Sequence, residues 1–295
     1  MPADRPILLT GSTGQVGSAL APLLAPFGEV LTPTRAQLDL ASEASIRTYI
    51  HTAKPRWIIN PAAYTAVDAA ESNRDLAFAI NAEAPRILGE EALALHANVI
   101  HFSTDYVFDG KNSQPYTELD TPAPINIYGA SKLAGEQALA ATGAAHLILR
   151  TSWVYSATGK NFLLTILNAA RTRPELRIVA DQHGAPTSAR DLAALTAHIL
   201  ATNPDLAKIT GTYHATSQGQ TTWHGFAEEI MREAKRLAPT QTFATLTPIP
   251  TADYPTPAAR PLNSRLNCTK LSRELNYQLP PWQASVAQAI AEALR

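Results

Sequence analysis

Cysteine, charge and long apolar runs are the scarce features of this sequence. Its 295 residues include one cysteine, Cys268, so neither an internal disulfide nor a multi-cysteine metal site can form. Charged residues make up only 17% and the net charge is −1, unlike a nucleic-acid-binding protein or a polyacidic tail. No apolar run is long enough to span a membrane, and residues 1–6 lack a signal-peptide pattern. We therefore expect a cytoplasmic protein with neither membrane nor nucleic acid as a partner.

Apolar residues, by contrast, are plentiful and regularly placed. They make up 45% of the chain, which is ample for a large buried core. In the first half, short apolar runs alternate with helical patterns, which predicts an α/β fold with a doubly wound parallel sheet of the Rossmann type. The predicted strands span residues 6–10, 29–32, 56–60, 98–103 and 147–151. The predicted helices between them include residues 74–81 and 84–95, and a helix capped by Ser42.

A glycine-rich loop follows the first predicted strand directly. Gly11, Gly14 and Gly17 are spaced G-x-x-G-x-x-G, and apolar residues continue after them at helical spacing. Strand, glycine turn and helix form the context of a dinucleotide-binding fingerprint, in which the helix N-terminus attracts the pyrophosphate. The alternative is an ordinary glycine-rich turn between a strand and a helix.

The end of the second predicted strand bears on the choice of cofactor. Many NAD-binding proteins have an acidic residue there for the ribose hydroxyls. This sequence has Thr34 and Arg35 instead. A guanidinium can hold the 2′-phosphate of NADP, although Arg35 could equally be a solvated surface residue.

A tyrosine and a lysine lie four residues apart at Tyr128 and Lys132. On a helix this spacing puts both side chains on one face, one turn apart. An ammonium favours the phenolate and so lowers the pKa of a nearby phenol, which makes the pair a candidate for proton transfer. Thr104, at the end of a predicted strand, is placed to donate a hydrogen bond into the same site. The alternative is a chance spacing with a solvated lysine.

The alternation of strands and helices weakens after residue 151. Further helices are predicted at residues 161–170, 190–200, 223–237 and 282–294, and a strand at 211–215. We interpret this part as a smaller substrate-binding domain interleaved with the first. The predicted division is residues 1–150 plus about 187–216 for the NAD(P)-binding domain, and about 151–186 plus 217–295 for the substrate domain.

Seven motifs, in order along nearly the whole chain, resemble the dTDP-4-dehydrorhamnose reductases of the extended short-chain dehydrogenase/reductase family. The most specific are Ser103 to Gly110 (STDYVFDG) and Arg150 to Tyr155 (RTSWVY). The resemblance implies NAD(P)H-dependent reduction of the C4 ketone of dTDP-4-dehydro-L-rhamnose, the last step of dTDP-L-rhamnose synthesis for surface polysaccharides such as O-antigen. It implies NADPH as cofactor, with NADH also accepted, and a dTDP-sugar as partner.

The resemblance also implies roles for individual residues. The implied catalytic residues are Thr104, Tyr128 and Lys132. The implied cofactor-binding residues are Gly11, Gly14, Gln15, Val16, Gly17, Arg35, Asp39, Leu40, Ala62, Ala63, Tyr64, Tyr128 and Lys132. The implied substrate-binding residues are Thr104, Asp105, Tyr106, Trp153 and Arg260.

Two departures from the pattern of the family bear on metal binding. Some members form a dimer around Mg²⁺ held by glutamates, where this sequence has Gln15 and Arg190. Because Mg²⁺ prefers carboxylate oxygens, we expect no metal and a monomer or weak homodimer. Two other functions stay open at this point. One is a sugar-nucleotide epimerase or dehydratase of the same superfamily, and the other is a non-enzymatic subunit resembling the regulatory subunit of methionine adenosyltransferase.

Overall fold

A six-stranded parallel sheet forms the centre of the molecule. The computed structural model describes residues 5–294. The strands are β1 (Ile7–Leu9), β2 (Val30–Leu31), β3 (Trp57–Asn60), β4 (Asn98–Thr104), β5 (His146–Thr151), β6 (Val154–Tyr155), β7 (Glu175–Val179), β8 (His183–Gly184), β9 (Thr187–Ser188), β10 (Gly211–His214), β11 (Thr221–Thr222) and β12 (Thr245–Ile249). The order in the central sheet is β10-β5-β4-β3-β1-β2, and three two-stranded pairs lie outside it.

Helices cover both faces of the sheet. They are α1 (Gln15–Leu24), α2 (Glu43–Ala53), α3 (Val67–Ala70), α4 (Arg74–Phe78), α5 (Ala84–Leu95), α6 (Ile127–Ala141), α7 (Phe162–Ala170), α8 (Ala189–Thr202), α9 (Trp223–Leu237), α10 (Thr269–Leu275) and α11 (Trp282–Ala293). The predicted Rossmann-type α/β fold is therefore confirmed. Within residues 5–294, no helix combines the length and apolar character needed to cross a bilayer.

Two cores sandwich the sheet because its strands are apolar on both faces. One core packs leucines and isoleucines of α1, α8 and α10 against the strands. The core on the opposite face contains apolar residues of α2, α5 and α6. Burial of this apolar surface is the main contribution to the stability of a sheet of this type.

A third core lies apart from the sheet. It is formed by α7, α9, α11 and β7, and Phe226 and Trp282 are among its aromatic residues. These elements lie in the region that we predicted to be the substrate domain. α10, from the same region, packs instead on the sheet through Leu271 and Leu275. The domain division stays a prediction.

One helical stretch differs from the prediction. Residues predicted as two helices form a continuous run in which a π-helical turn, Ala79–Glu83, connects α4 to α5. The extra residue of a π turn rotates the helix and often marks a functional site. Here it places Asn81 in the interior, where the side chain meets the loop after β3.

Candidate functional site

The glycine loop after β1 forms a tight cradle at the N-terminus of α1. Gly11 has φ +55°, and a Cβ there would lie 2.9 Å from the Cα of Ala62. A Cβ on Gly17 would lie 2.1 Å from the carbonyl oxygen of Gly11, so only glycine fits. α1 begins at Gln15, and no side chain caps it at Gly14. Its first backbone amides therefore suit an anion such as a pyrophosphate.

The predicted adenosine end lies beyond β2. The Arg35 side chain is 77% exposed, and its Nε lies 3.9 Å from Asp39 Oδ1. Such an exposed pair contributes little to stability. The guanidinium can therefore turn to a 2′-phosphate at small cost. Leu40, which is partly buried, follows directly in the chain.

The loop after β3 forms the next wall, with Ala62 against Gly11. Its backbone is fixed by a residue that the sequence analysis missed. The Tyr64 amide donates to Asn81 Oδ1 at 2.8 Å, and Asn81 Nδ2 donates to the Tyr64 carbonyl at 3.1 Å. Asn81 Nδ2 also donates to Ser131 Oγ on α6 at 3.0 Å. The only signal in the sequence was a polar residue within a helical apolar pattern.

The tyrosine-lysine pair lies in the first two turns of α6. The helix begins after Asn126, whose side chain accepts a hydrogen bond from the Gly129 amide at 2.7 Å. This cap fixes the start of the helix and so places Tyr128 beside Thr104, the last residue of β4. Burial raises the pKa of Tyr128 to about 12, although the neighbouring Thr104 hydroxyl opposes the shift. The phenol therefore keeps its proton at neutral pH.

The lysine side chain runs toward the sheet. Lys132 Nζ donates to the Phe102 carbonyl at 2.6 Å and lies 3.2 Å from His101 Nε2. Burial lowers the pKa of Lys132 to about 8. The expectation of a lowered Tyr128 pKa is wrong, because desolvation of the phenol raises it and Lys132 is not among the groups that shift it.

The residues after Thr104 surround the tyrosine. The ring of Tyr106 packs edge-on against that of Tyr128, with centroids 5.6 Å apart. Asp105 is buried, and Thr104 Oγ1 donates to its Oδ1 at 3.1 Å. Burial raises the pKa of Asp105 to about 7. This cluster therefore combines a protonated phenol and a carboxyl group that is partly protonated at neutral pH with the Thr104 hydroxyl.

Trp153 has an uncommon backbone conformation. Its φ is +49°, which is costly for a large L-residue and persists only where the surroundings impose it. Its ring stacks on Trp223 with centroids 3.8 Å apart. A Cβ on Gly184 would lie 2.6 Å from the Trp153 ring, so the glycine makes room for it. Trp223 is a further candidate that the sequence analysis missed.

Arg260 is paired with Asp68 in a bidentate ion pair. Its Nη1 and Nη2 donate to the two carboxylate oxygens of Asp68 at 2.9 and 2.8 Å. Nη1 also donates to the Ala258 carbonyl, and the Ala258 amide donates to Asp68 Oδ1. The pair holds the loop at residue 260 against α3. Sequence patterns did not indicate this contact, because its partners are 192 residues apart.

The predicted residues thus form two groups. The cofactor group surrounds the glycine loop and the β3 loop, and the catalytic group surrounds Tyr128. Within the described part of the chain, no hydrogen bond or ring contact joins Arg35 or Trp153 to the catalytic group.

The two positions that depart from the family pattern lie near α11. Gln15 Oε1 accepts a hydrogen bond from Ser156 Oγ at 3.3 Å. Arg190 Nη1 forms an ion pair with Glu292 at 2.9 Å. Among residues 5–294 there is no group of three or more His, Cys, Asp or Glu side chains suited to a metal ion. The absence of a metal stays a prediction.

Sequence comparisons agree on one family. The family model described as the RmlD substrate binding domain matches residues 5–295. A dTDP-4-dehydrorhamnose reductase of Burkholderia thailandensis is 46% identical over 294 residues, covering 98% of this chain and 99% of the relative. The protein of the same name from Escherichia coli K12 is 42% identical, with 97% of each chain covered.

Structural comparisons give the same result. The dTDP-4-dehydrorhamnose reductase of Bacillus anthracis in complex with NADP superimposes with a TM-score of 0.90, at 33% identity, covering 98% of this chain and 99% of that one. A UDP-glucose 4-epimerase of Thermus thermophilus, with NAD, has a TM-score of 0.79 at only 19% identity and so shows the fold alone. From the family model and these relatives, the chain belongs to the RmlD family of dTDP-4-dehydrorhamnose reductases.

Proposed function

We propose that the protein catalyses the NADPH-dependent reduction of the C4 ketone of dTDP-4-dehydro-L-rhamnose to dTDP-L-rhamnose. The observation that carries this function is the 46% identity over 294 residues to the dTDP-4-dehydrorhamnose reductase of Burkholderia thailandensis. The cluster of Thr104, Tyr128 and Lys132 supplies the chemistry that such a reduction needs. The identity to the epimerase is too low to favour an epimerase, and the intact cluster gives no reason to prefer a non-enzymatic subunit.

The cofactor assignment rests on the cradle at the start of α1. Gly11 and Gly17 pack too tightly to carry a side chain, so none blocks the approach of a pyrophosphate to the loop. Arg35 is exposed, and its guanidinium is the cation that a 2′-phosphate would need. We assign Asp39 and Leu40 to the adenosine, and Ala62, Ala63 and Tyr64 to the rest of the cofactor. When bound, the dihydronicotinamide supplies a hydride to C4 of the sugar.

Tyr128 is the proposed general acid. As C4 is reduced, negative charge develops on the ketone oxygen, and the phenol donates its proton there. Burial keeps this proton in place at neutral pH, since it raises the pKa of Tyr128 to about 12. A reductase needs a protonated tyrosine to donate to the ketone oxygen, so the raised pKa of Tyr128 fits the reaction in the direction of reduction.

Thr104 and Lys132 support this proton transfer. The Thr104 hydroxyl lies beside the phenol and donates a hydrogen bond to the same developing oxyanion. The Lys132 ammonium stabilises the phenolate left after proton transfer and holds the nicotinamide ribose. Its low exposure makes this charge effective, because little water screens it.

The remaining predicted residues form the sugar-nucleotide side of the site. Asp105 and Tyr106 surround the catalytic tyrosine, and the stacked Trp153 offers an aromatic face. Arg260 contacts the diphosphate through donors not used by Asp68. We further propose a monomer or weak homodimer in the cytoplasm, where a protein with the single thiol Cys268 stays reduced.

The test is an absorbance assay of NADPH loss with dTDP-4-dehydro-L-rhamnose, and identification of the product by NMR. Stoichiometric formation of dTDP-L-rhamnose is expected. Protein that binds both ligands but oxidises no NADPH would refute the function. Protein purified with tightly bound NAD⁺ would indicate an epimerase or dehydratase, because those enzymes retain their cofactor.

A further inference from the structure

A row of four buried polar side chains crosses the sheet beneath the proposed cofactor site. Its members are Thr10, Asn60, His101 and Lys132, each at most 2% exposed. Thr10 Oγ1 donates to Asn60 Oδ1 at 2.6 Å, and Asn60 Nδ2 lies 3.1 Å from His101 Nδ1. His101 Nε2 lies 3.2 Å from Lys132 Nζ. The row therefore runs unbroken across β1, β3 and β4 to the lysine of α6.

The protons of this row follow from donor and acceptor counting. A neutral imidazole donates from one nitrogen and accepts at the other. An ammonium only donates, so the Lys132 ammonium requires a bare Nε2 on His101, and the ring proton must be on Nδ1. Nδ1–H in turn requires an acceptor, so the Asn60 atom that faces it must be the amide oxygen. The amide nitrogen then donates to Thr10. The oxygen and nitrogen of an amide have nearly the same shape, so a half-turn of the Asn60 side chain gives this arrangement.

The surroundings favour a charged lysine over a charged histidine. Lys132 Nζ has a second acceptor in the Phe102 carbonyl, and the Glu136 carboxylate one turn along α6 favours the ammonium. Glu136 is itself paired with Arg150 of β5. His101 is surrounded by the ammonium and, from β5, by His146, and burial together with these neighbours lowers its pKa well below the usual value. Tyr128 keeps its proton at neutral pH, whereas Asp105, whose pKa burial raises to about 7, is only partly ionised there.

We propose that His101, as the neutral Nδ1–H tautomer fixed by Asn60 and Thr10, is the positioning residue that holds the Lys132 ammonium in place. Thr10 directly precedes Gly11, and Asn60 directly precedes the loop of Ala62. The row thus ties the lysine to the two strand ends from which both cofactor loops begin. His101 would act through the lysine and is assigned to neither ligand. This role rests on the proposed function only in that Lys132 serves the cofactor and the reaction.

Removal of the acceptor has a consequence with a definite sign. Burial lowers the pKa of Lys132 to about 8, so its charge is present below that pH and is lost as the pH rises. Without His101 the ammonium loses one of its two acceptors, and its pKa falls further. The alkaline loss of NADPH affinity should then move to lower pH by about one unit, which is the lower end of what a hydrogen bond to a charged group contributes.

Two variants and one control separate positioning from packing. His101→Leu removes the acceptor, whereas His101→Gln keeps an amide oxygen available to Lys132. His146→Leu is the control, because His146 is also buried, on β5, and its Nδ1 contacts the Ala144 carbonyl rather than the lysine. NADPH affinity is measured by fluorescence titration across neutral and alkaline pH. The alkaline limb is the pH range in which NADPH affinity is lost as the pH rises. We expect it to move to lower pH in His101→Leu, to return most of the way to the wild-type position in His101→Gln, and to stay unchanged in His146→Leu.

Nitrogen NMR of the imidazole gives a readout that needs neither substrate nor a variant. A proton on Nδ1 of His101 in the wild-type protein is expected, and a proton on Nε2 would overturn the proposal. An unchanged alkaline limb in folded His101→Leu would also overturn it, as would an equal shift in the control. If His101→Leu does not fold, a His101→Gln limb that matches the wild type supports the proposal and one that shifts by a full unit refutes it. These results stand whether or not the protein reduces the proposed sugar.

Discussion

Replacement of Arg260 by alanine tests how the substrate diphosphate is held. The guanidinium is partly buried, and two of its nitrogens are bound to Asp68. Its Nε–H has no acceptor among the residues that the structure describes. A diphosphate that leaves water needs charged donors, because unpaired burial of its charges is costly. Arg260 offers such a donor on the side away from Asp68.

The expected loss of dTDP affinity follows from the Arg260 donors that Asp68 and Ala258 leave free. One hydrogen bond between charged groups contributes about 1.5–3 kcal/mol, so Arg260→Ala should weaken dTDP binding by roughly 10- to 150-fold. Arg260→Lys should recover only part of this, since an ammonium lacks the planar fork. Asp68→Asn should have the opposite effect on dTDP affinity. The Arg260 hydrogen bonds lower the pKa of Asp68, so at neutral pH it is an anion that repels the diphosphate. Its neutralisation should strengthen dTDP binding severalfold.

Calorimetric titration of each variant with dTDP and with NADPH is the assay. NADPH affinity is the internal control, because the cofactor pyrophosphate is assigned to the loop between Gly11 and Gly17. Unchanged dTDP affinity in Arg260→Ala would refute the assignment, as would equal losses for both ligands. Weaker dTDP binding in Asp68→Asn would show that Asp68 orients the arginine rather than competing with the phosphate for it.

Three further predictions follow from the proposed chemistry. Tyr128→Phe should keep the NADPH affinity but lower kcat by about 100-fold or more, the usual scale of general acid catalysis, and wild-type turnover at neutral pH would remove Tyr128 as the acid. Arg35→Ala should raise KM for NADPH much more than for NADH, whereas equal effects would place Arg35 away from the 2′-phosphate. Treatment with EDTA should change neither activity nor sedimentation, since Gln15 and Arg190 offer no carboxylates, and dissociation of a dimer would contradict this.

Local patterns were sufficient for most elements of the fold. Among the predicted strands, β1, β3, β4 and β5 are short, fully buried runs, whereas β2 and β10 are only partly buried. The two-stranded pairs outside the central sheet were not predicted. The helix α9 was predicted with its observed bounds, since its apolar face repeats at helical spacing. The π turn at Ala79–Glu83 was not predictable, because it inserts one residue without breaking the apolar pattern.

Contacts between distant residues account for what the sequence could not provide. His101 fits the pattern of a buried strand, and its role depends on neighbours from β3 and α6. The partner of Arg260 was hidden for the same reason. The direction of the Tyr128 pKa shift was mispredicted because spacing on a helix says nothing about desolvation. Motif spacing thus indicated the candidate reacting groups, but their protonation depends on burial.

The strand order has a consequence for how the chain folds. β5 ends at Thr151, yet its outer partner β10 begins only at Gly211. Until that later segment has been synthesised, β5 remains an open edge with unpaired backbone groups, which is the kind of edge that joins other chains in aggregates. α10, near the C-terminus, adds Leu271 and Leu275 to the core against the same sheet. A nascent chain therefore cannot complete its nucleotide-binding sheet early, and truncation before residue 211 should give an aggregating protein rather than a small stable domain.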